Sequence, residues 1–486
     1  MDTLMYKLKP CIELATFVRN LQLYGIDVEI TRGQDPSPEA AMHDRGAPVP
    51  ALIVSPRSEW GLSTTLSLLK SLNLYRRIPV SVKSGGHGYF NGASCTGVML
   101  NLAGMHERRI EGNMLIMGPG CLLAHTVDIL RRYGKAVPHG DCFGVGAGGH
   151  FLTAGWDLIL ARQYGLGCQS IMGGRVVLWD GSTVNVDSST HSNLLYAMRG
   201  GAVAGAGVVS ELRLRMVDEP NRVTFCRMRM TKSQLDTCMA NEAIFNAARL
   251  PREISVSFRL YFDADLTEPV CSLDIFSLLD VEETIRAISN HLGQAVASIV
   301  AHRTSWSEKA LIDVRMLNAS RNLAAEPGML AEATQSSLNN EPLLYWSERV
   351  CAREMARSFF TSRSYWVQPN CDSMLFELYE KFATVGKHPS RDRMYALIIL
   401  GGGRMKELQA DCSMPLGSAL ARFELHWDAE DEASWCRSFT QGICDIITRR
   451  QDTEPGRTYR GDVWKEGQDF DGDLSAIFKQ YDRRFN

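Results

Sequence analysis

Gly140-Asp141-Cys142-Phe143-Gly144-Val145-Gly146-Ala147-Gly148-Gly149-His150 is the stretch on which the reading of this chain turns. Five of its first ten residues are glycine, with a thiol near the front and an imidazole at the end. A backbone so poor in Cβ atoms can press against a flat or phosphorylated ligand. Glycines also mark tight turns and close strand packing, so the ligand reading needs the rest of the chain to carry it. Gly144-x-Gly146-x-x-Gly149 formally matches the dinucleotide fingerprint, but that fingerprint closes a strand and opens a helix, with an acid about 20 residues on. Residues 137–141 make a poor strand and Gln169 stands where the acid belongs, so that reading fails its own context.

Upstream, Ala51-Leu52-Ile53-Val54 reads as a short buried strand and residues 58–72 as a helix capped by Ser58. Strands follow at residues 80–83, 98–102 and 114–117, with a helix at 122–133. Downstream, residues 175–179 and 183–186 flank Asp180-Gly181 as a hairpin, and an alternating strand covers 208–216. From about residue 217 the glycine clusters end. Strands are expected at 254–262, 273–279, 393–400 and 419–427 and helices at 232–250 and 281–292, an antiparallel sheet with one helical face. The expected division is therefore 1–216, 217–454, and a tail at 455–486 that returns to the first part.

The chain has 52 basic and 55 acidic residues and a net charge of -3, which argues against a nucleic-acid binder. No apolar run reaches the roughly 18 residues of a membrane span. Met1 to Lys7 show no basic region followed by an apolar core, so a cytoplasmic location is expected. Thirteen cysteines without a C-x-x-C pair point to neither a disulfide framework nor a zinc site, and no metal is expected. A small-molecule substrate is the expected partner.

Two loops taken together narrow this further. Ser84-Gly85-Gly86-His87-Gly88-Tyr89 after a strand, then Gly140-x-Cys142-x-x-Val145-Gly146-x-Gly148-Gly149-His150, resembles the berberine bridge enzyme-like group of FAD-linked oxidases. The likeness continues through Arg162-x-Tyr164-Gly165-Leu166, Trp179-Asp180-Gly181, Leu195 to Gly201, Gly207-Val208-Val209 and Gln480-Tyr481-Asp482. It covers residues 50–216 and 455–486 well and the middle only in layout. The resemblance implies an α+β protein: a two-part FAD-binding domain of the PCMH type with an inserted substrate domain, an antiparallel sheet covered by helices. It implies FAD bonded twice, through His87 to the 8α-methyl carbon and through Cys142 to ring carbon 6. It also assigns cofactor contacts to Ser84, Gly85, Gly86, Gly88, Tyr89, Gly146, Gly148, Gly149, His150, Gly207, Val208, Val209 and Tyr459. The implied activity is hydride removal from an alcohol or amine-bearing carbon of a specialised metabolite or sugar, with O2 as acceptor. A dehydrogenase using another acceptor and a redox-silent cyclase or ligand-binding protein are the rivals.

The chain departs from the family pattern in three places. Phe151-Leu152-Thr153-Ala154-Gly155-Trp156 stands where further glycines are usual, Gly205-Ala206-Gly207 replaces Gly-Asn-Phe-Gly, and Tyr459-Arg460-Gly461-Asp462 replaces Tyr-x-Asn-Tyr. Hydride loss leaves a proton for a positioned base. Tyr459 is the first candidate, Glu424 the second and Asp462 the third. Arg422, Glu424 and His426 share one face of an alternating strand, either a pocket floor or a wet face, and the wet reading is preferred because polar alternation usually faces water.

Overall fold

The computed structural model describes residues 12–31, 33–34, 36–37, 40–88, 93–203, 205–240, 247–263, 265–301, 306–322, 358–367, 373–450 and 472–485. It is an α+β fold built on three larger sheets. In the first, β1 (Asp27–Ile30), β2 (Leu52–Ser55), β3 (Val80–Lys83) and β4 (Val98–Asn101) run in the order β1-β2-β4-β3, with β2 and β3 parallel to β4. The crossover from β2 is the helix Glu59–Ser71, whose N-terminus is held by Ser58 Oγ accepting from Gly61 N at 3.2 Å. Such a cap contributes about 1 kcal/mol. Leu62, Leu66 and Leu69 of this helix are fully buried against Leu52, Val54 and Leu100.

The second sheet orders β5 (Arg108–Glu111), β6 (Met114–Met117), β8 (Ile171–Leu178), β9 (Thr183–Val186) and β10 (Gly207–Arg215) as β5-β6-β10-β8-β9. A short pair, β7 (Lys135–Ala136) with β11 (Val217–Asp218), lies beside it. The first six residues of β10 are all buried, so the alternation expected at 208–216 is replaced by a strand covered on both faces. The C-terminal helix Gly472–Tyr481 supplies one of those covers: Leu474, Phe478 and Tyr481 pack in the same core as Val209 and Leu212.

The third sheet comprises β12 (Val223–Met230), β13 (Ile254–Tyr261), β14 (Val270–Ser277), β15 (Trp306–Lys309), β16 (Phe359–Val367), β17 (Met394–Leu400) and β18 (Ala419–Trp427). It is antiparallel in the order β15-β12-β14-β13-β17-β18-β16. One face is apolar. Val256, Phe258 and Leu260 of β13, Ala396 and Ile398 of β17, and Ala421, Phe423 and Leu425 of β18 pack beneath helices Val281–Leu292, Met374–Ala383 and Ala433–Thr448. Helix Ala433–Thr448 presents Cys436, Phe439, Ile443 and Ile447 at helical spacing, and each large side chain so buried is worth about 1.5–3 kcal/mol of transfer free energy. Two expectations change here. The helix read over 232–250 is Lys232–Met239, and the strands β12, β15 and β16 were not anticipated.

Arg162 pins the third sheet to the glycine-rich half. It is 1% exposed, and its guanidinium donates to Ile254 O at 2.6 Å, to Leu250 O at 2.9 Å and to Gly401 O. One guanidinium thus satisfies buried carbonyls from two separate stretches in and beside the third sheet, each of which would cost about 1–3 kcal/mol if left without a donor. Arg315 makes a second pin, its side chain 4% exposed and 2.6 Å from Asp157, whose own side chain is fully buried.

Candidate active site

The two glycine loops meet backbone to backbone. A Cβ on Gly85 would lie 2.4 Å from Gly146 N, and a Cβ on Gly146 would lie 2.1 Å from Gly85 N. Gly148 likewise has no room beside Pro119 O at 2.6 Å, nor Gly207 beside Val177 O at 2.2 Å. These glycines are required by chain packing. Gly149 differs, since nothing lies within 4 Å of where its Cβ would stand. The helix Ala147–Thr153 does start at this loop, but it follows a loop rather than a strand, in keeping with the failure of the dinucleotide fingerprint.

The loops form one wall of a cavity of about 730 Å³, within the usual range for small-molecule and cofactor sites. Of the residues named from sequence, Ser84, Gly85, Gly86, His87, Gly88, Cys142, Gly146, Gly148, Gly149, His150, Gly207, Val208 and Val209 all line it. Tyr89, Tyr459, Arg460 and Asp462 lie outside the described residues. His150 has a second duty, because its Nε2 accepts from Gly140 N at 3.0 Å and so holds the loop that carries Cys142. Trp156 lines the cavity, whereas Phe151 is fully buried in the core behind it. The C-terminal helix closes one end with Ser475, Phe478 and Lys479.

The opposite wall is the polar face of the third sheet. Arg227, Ser257, Arg259, Asp274, Tyr395 and Arg422 line the cavity from five adjacent strands. The wet-face expectation for β18 is therefore overturned: Arg422 looks into the cavity and Glu424 is 3% exposed. The sheet's other face already packs against helices, and its polar face is covered by the glycine-rich half. Glu424 sits just behind the lining, paired with Arg422 and 3.7 Å from His426 Nε2. Burial acts to raise its pKa, but Arg422, the nearby His426 and a hydrogen bond from Tyr395 outweigh this and hold the carboxyl well below its ordinary range. Tyr395, with the Arg259 guanidinium 4.4 Å from its ring centre, remains a phenol, its pKa raised by burial and by Glu424. Sequence reading missed Tyr395 and Arg259. For Arg259 the alternation Ile254-Ser255-Val256-Ser257-Phe258-Arg259-Leu260 carried the signal, since Ile254, Val256, Phe258 and Leu260 all face the core.

His87 is 8% exposed, and burial lowers its pKa to about 4, with Glu424 opposing the shift. Its imidazole is neutral at pH 7 and keeps a nucleophilic lone pair. The residues lining that wall fit a flat cofactor.

A buried network joins this wall to the third sheet. Asn318 donates to Asp141 Oδ2 at 2.9 Å and accepts from Arg227 at 2.7 Å, and Arg227 donates to Asp274 at 3.2 Å. Burial, then the nearby Asp157, pushes the pKa of Asp141 up to about 7.

Residues 50–187 match the family model described as FAD binding domain. Glucooligosaccharide oxidase of Sarocladium strictum is 28% identical over 222 residues, covering 44% of this chain and 43% of that protein. The match thus spans less than half the length of that curated relative. Among solved structures, berberine bridge enzyme-like protein 28 from Arabidopsis thaliana superposes with a TM-score of 0.77 at 15% identity, covering 96% of each chain. Phl p 4, a grass pollen allergen with glucose dehydrogenase activity, gives 0.77 at 15% identity over 97% of this chain and 98% of that one. The fold is that of the berberine bridge enzyme-like proteins, as the paired glycine loops implied.

Asp141 gives the site a stability signature. Its folded-state pKa near 7 lies above the ordinary 3.8, so folding favours the protonated acid. That stability is complete below about pH 4, declines as pH rises towards 7, and is constant above. Asp141→Asn removes this titration. The melting temperature of the variant relative to the parent should climb between pH 4 and 7 and level off above, as read by circular dichroism; a flat difference would refute the assignment.

Proposed function

We propose that this chain, an FAD-binding-domain protein with the berberine bridge enzyme-like fold, is an oxidase that carries FAD bonded through both His87 and Cys142. Its substrate would be an alcohol or amine-bearing carbon of a sugar or specialised metabolite. The observation that carries this reading is that a neutral imidazole and a thiol, on loops whose backbones touch, line one cavity opposite a polar sheet face. When bound, FAD supplies a two-electron acceptor that takes hydride from such a carbon and can pass the electrons to O2, giving H2O2.

The chain's own groups do the rest. Arg422 and Arg259 bring fixed positive charge and many N–H donors to the substrate side, a lining suited to hydroxyl-rich ligands. Tyr395 lines the cavity with its hydroxyl on Glu424, so a substrate proton can reach the carboxylate through the phenol. Glu424 then serves as the proton acceptor, Tyr459 being the alternative from the C-terminal motif.

A dehydrogenase reading has one observation in its favour: the indole of Trp156 lines the cavity beside the glycine loops, where it can obstruct oxygen.

Three measurements test these readings. Acid-denatured protein should retain its yellow colour on the polypeptide; His87→Ala and Cys142→Ala should each leave one linkage, and the double variant should release FAD. Colour in the supernatant of the parent would sink the bicovalent reading. Glu424→Gln should keep the flavin but slow its anaerobic reduction by substrate by about 10² to 10⁴, the usual worth of a general base; an unchanged rate transfers the role to Tyr459. Reoxidation in air should outpace that of free reduced flavin, and a rate no faster assigns the protein to the dehydrogenases.

A further inference from the structure

His43, which no sequence motif marks, lies flat against His87. The two imidazoles are parallel within 2°, with centroids 4.8 Å apart. The segment carrying His43 is delivered by a glycine: His43 N donates to Gly86 O at 2.9 Å, and Gly86 has φ +72. A Cβ on Gly86 would stand 2.8 Å from Ala41 O and 2.7 Å from Lys83 Cε, so a side chain there would push the segment away. On its other sides the His43 ring meets Phe360 at 5.3 Å and His426 at 6.1 Å. Its far end is clipped to the substrate sheet, since Arg45 N donates to Ser358 O at 2.9 Å.

The residue is 7% exposed, its Nδ1 makes no hydrogen bond among the described residues, and its ring contacts are to His87, Phe360 and His426. Burial, then the neighbouring imidazoles of His87 and His426, lowers its pKa to about 3, only partly offset by Glu424. The stack is therefore between two neutral rings at pH 7.

We propose that His43 is a positioning residue for flavin attachment: by stacking on His87 it fixes the ring plane from which a His87 nitrogen reaches the flavin methyl carbon. This rests on the reading of His87 as an attachment point. The second side-chain torsion of histidine is broad and two-fold, so an imidazole without a planar neighbour samples many orientations. Bond formation needs the reacting atoms held close and aligned. In the attachment a nitrogen–carbon bond forms, the His87 N–H and one methyl C–H leave as protons, and two electrons pass to O2, which with two protons becomes H2O2.

The test compares the parent with His43→Phe, which keeps a planar face, and His43→Leu, which fills the space without one. Proteolytic peptides containing residue 87 and residue 142 are weighed separately for the flavin adduct. His43→Leu should lower the adduct on the residue 87 peptide at least tenfold while the residue 142 peptide keeps its own, a split that general unfolding would not give. His43→Phe should restore the residue 87 adduct to near the parent level. Parental attachment in His43→Leu overturns the proposal, as does a loss in His43→Phe as deep as in His43→Leu, which would mean that the ring nitrogens matter. Absence of the adduct from the parent's own residue 87 peptide would instead sink the attachment reading beneath it.

Discussion

The approach of Gly85 to Gly146 sets the geometry on which the cavity depends. The backbone atoms stand where any side chain would have to be, within 2.1 to 2.4 Å of an ideal Cβ. The loop after β3 carries His87 and the loop before the helix Ala147–Thr153 carries Cys142, so closing one loop on the other brings both to one wall. Side contacts reinforce that closure. Ser84 Oγ donates to Pro119 O at 2.6 Å, and Gly148 packs on the same proline. Glycine's usual cost in conformational entropy is accepted here because no other residue lets two chains lie this close.

The wall is of use only if the sheet opposite is held at a fixed distance, and buried polar contacts do this. Arg162 reaches from the glycine-rich half to carbonyls on and near β13 and to Gly401 after β17. Arg315 reaches the other way, donating to Asp157 at 2.6 Å and to His139 Nε2 at 2.8 Å. Burial keeps His139 neutral, so one nitrogen accepts from the guanidinium while the other donates to Gly140 O at 2.7 Å. That last contact ties the Arg315–Asp157 pair directly to the loop bearing Cys142. Apolar packing alone would hold the halves together without fixing their spacing, because it is non-directional. Hydrogen bonds to specific carbonyls fix it.

Much of the first half was legible because its signals are local. Ser58 caps its helix, Asp180-Gly181 turns its hairpin with Gly181 at φ +87, and the two loops stand at a spacing that a family shares. The glycines were read as room for a ligand, but Gly85, Gly146, Gly148 and Gly207 proved to be room for the chain itself. Their pairing is non-local, and composition does not show which backbone fills the gap. The face of β18 was misassigned for a related reason. Polar alternation says only that one face is not core, and whether water or a second domain covers it depends on contacts far apart in sequence. His43 was invisible to motif reading, because its importance lies in one stacked ring across 44 positions of chain.

The two walls differ in charge for a physical reason. Near the glycine loops desolvation outweighs the opposing pull of Glu424 on His43 and His87, so His43, His87 and His150 are all neutral at pH 7. On the sheet each buried carboxylate has a guanidinium at hand, Arg227 for Asp274 and Arg422 for Glu424, and Arg422 keeps Glu424 ionised. Charged pairs interact more strongly in such a site than in water. Neutral nucleophiles therefore face fixed ions across one cavity. The arrangement separates attachment of a cofactor, which needs uncharged imidazole, from proton handling, which needs an ionised carboxylate. Exchanging the two environments would cost both, since a histidine beside Glu424 without Arg422 would be held protonated, and a glutamate among the glycine loops would be held neutral.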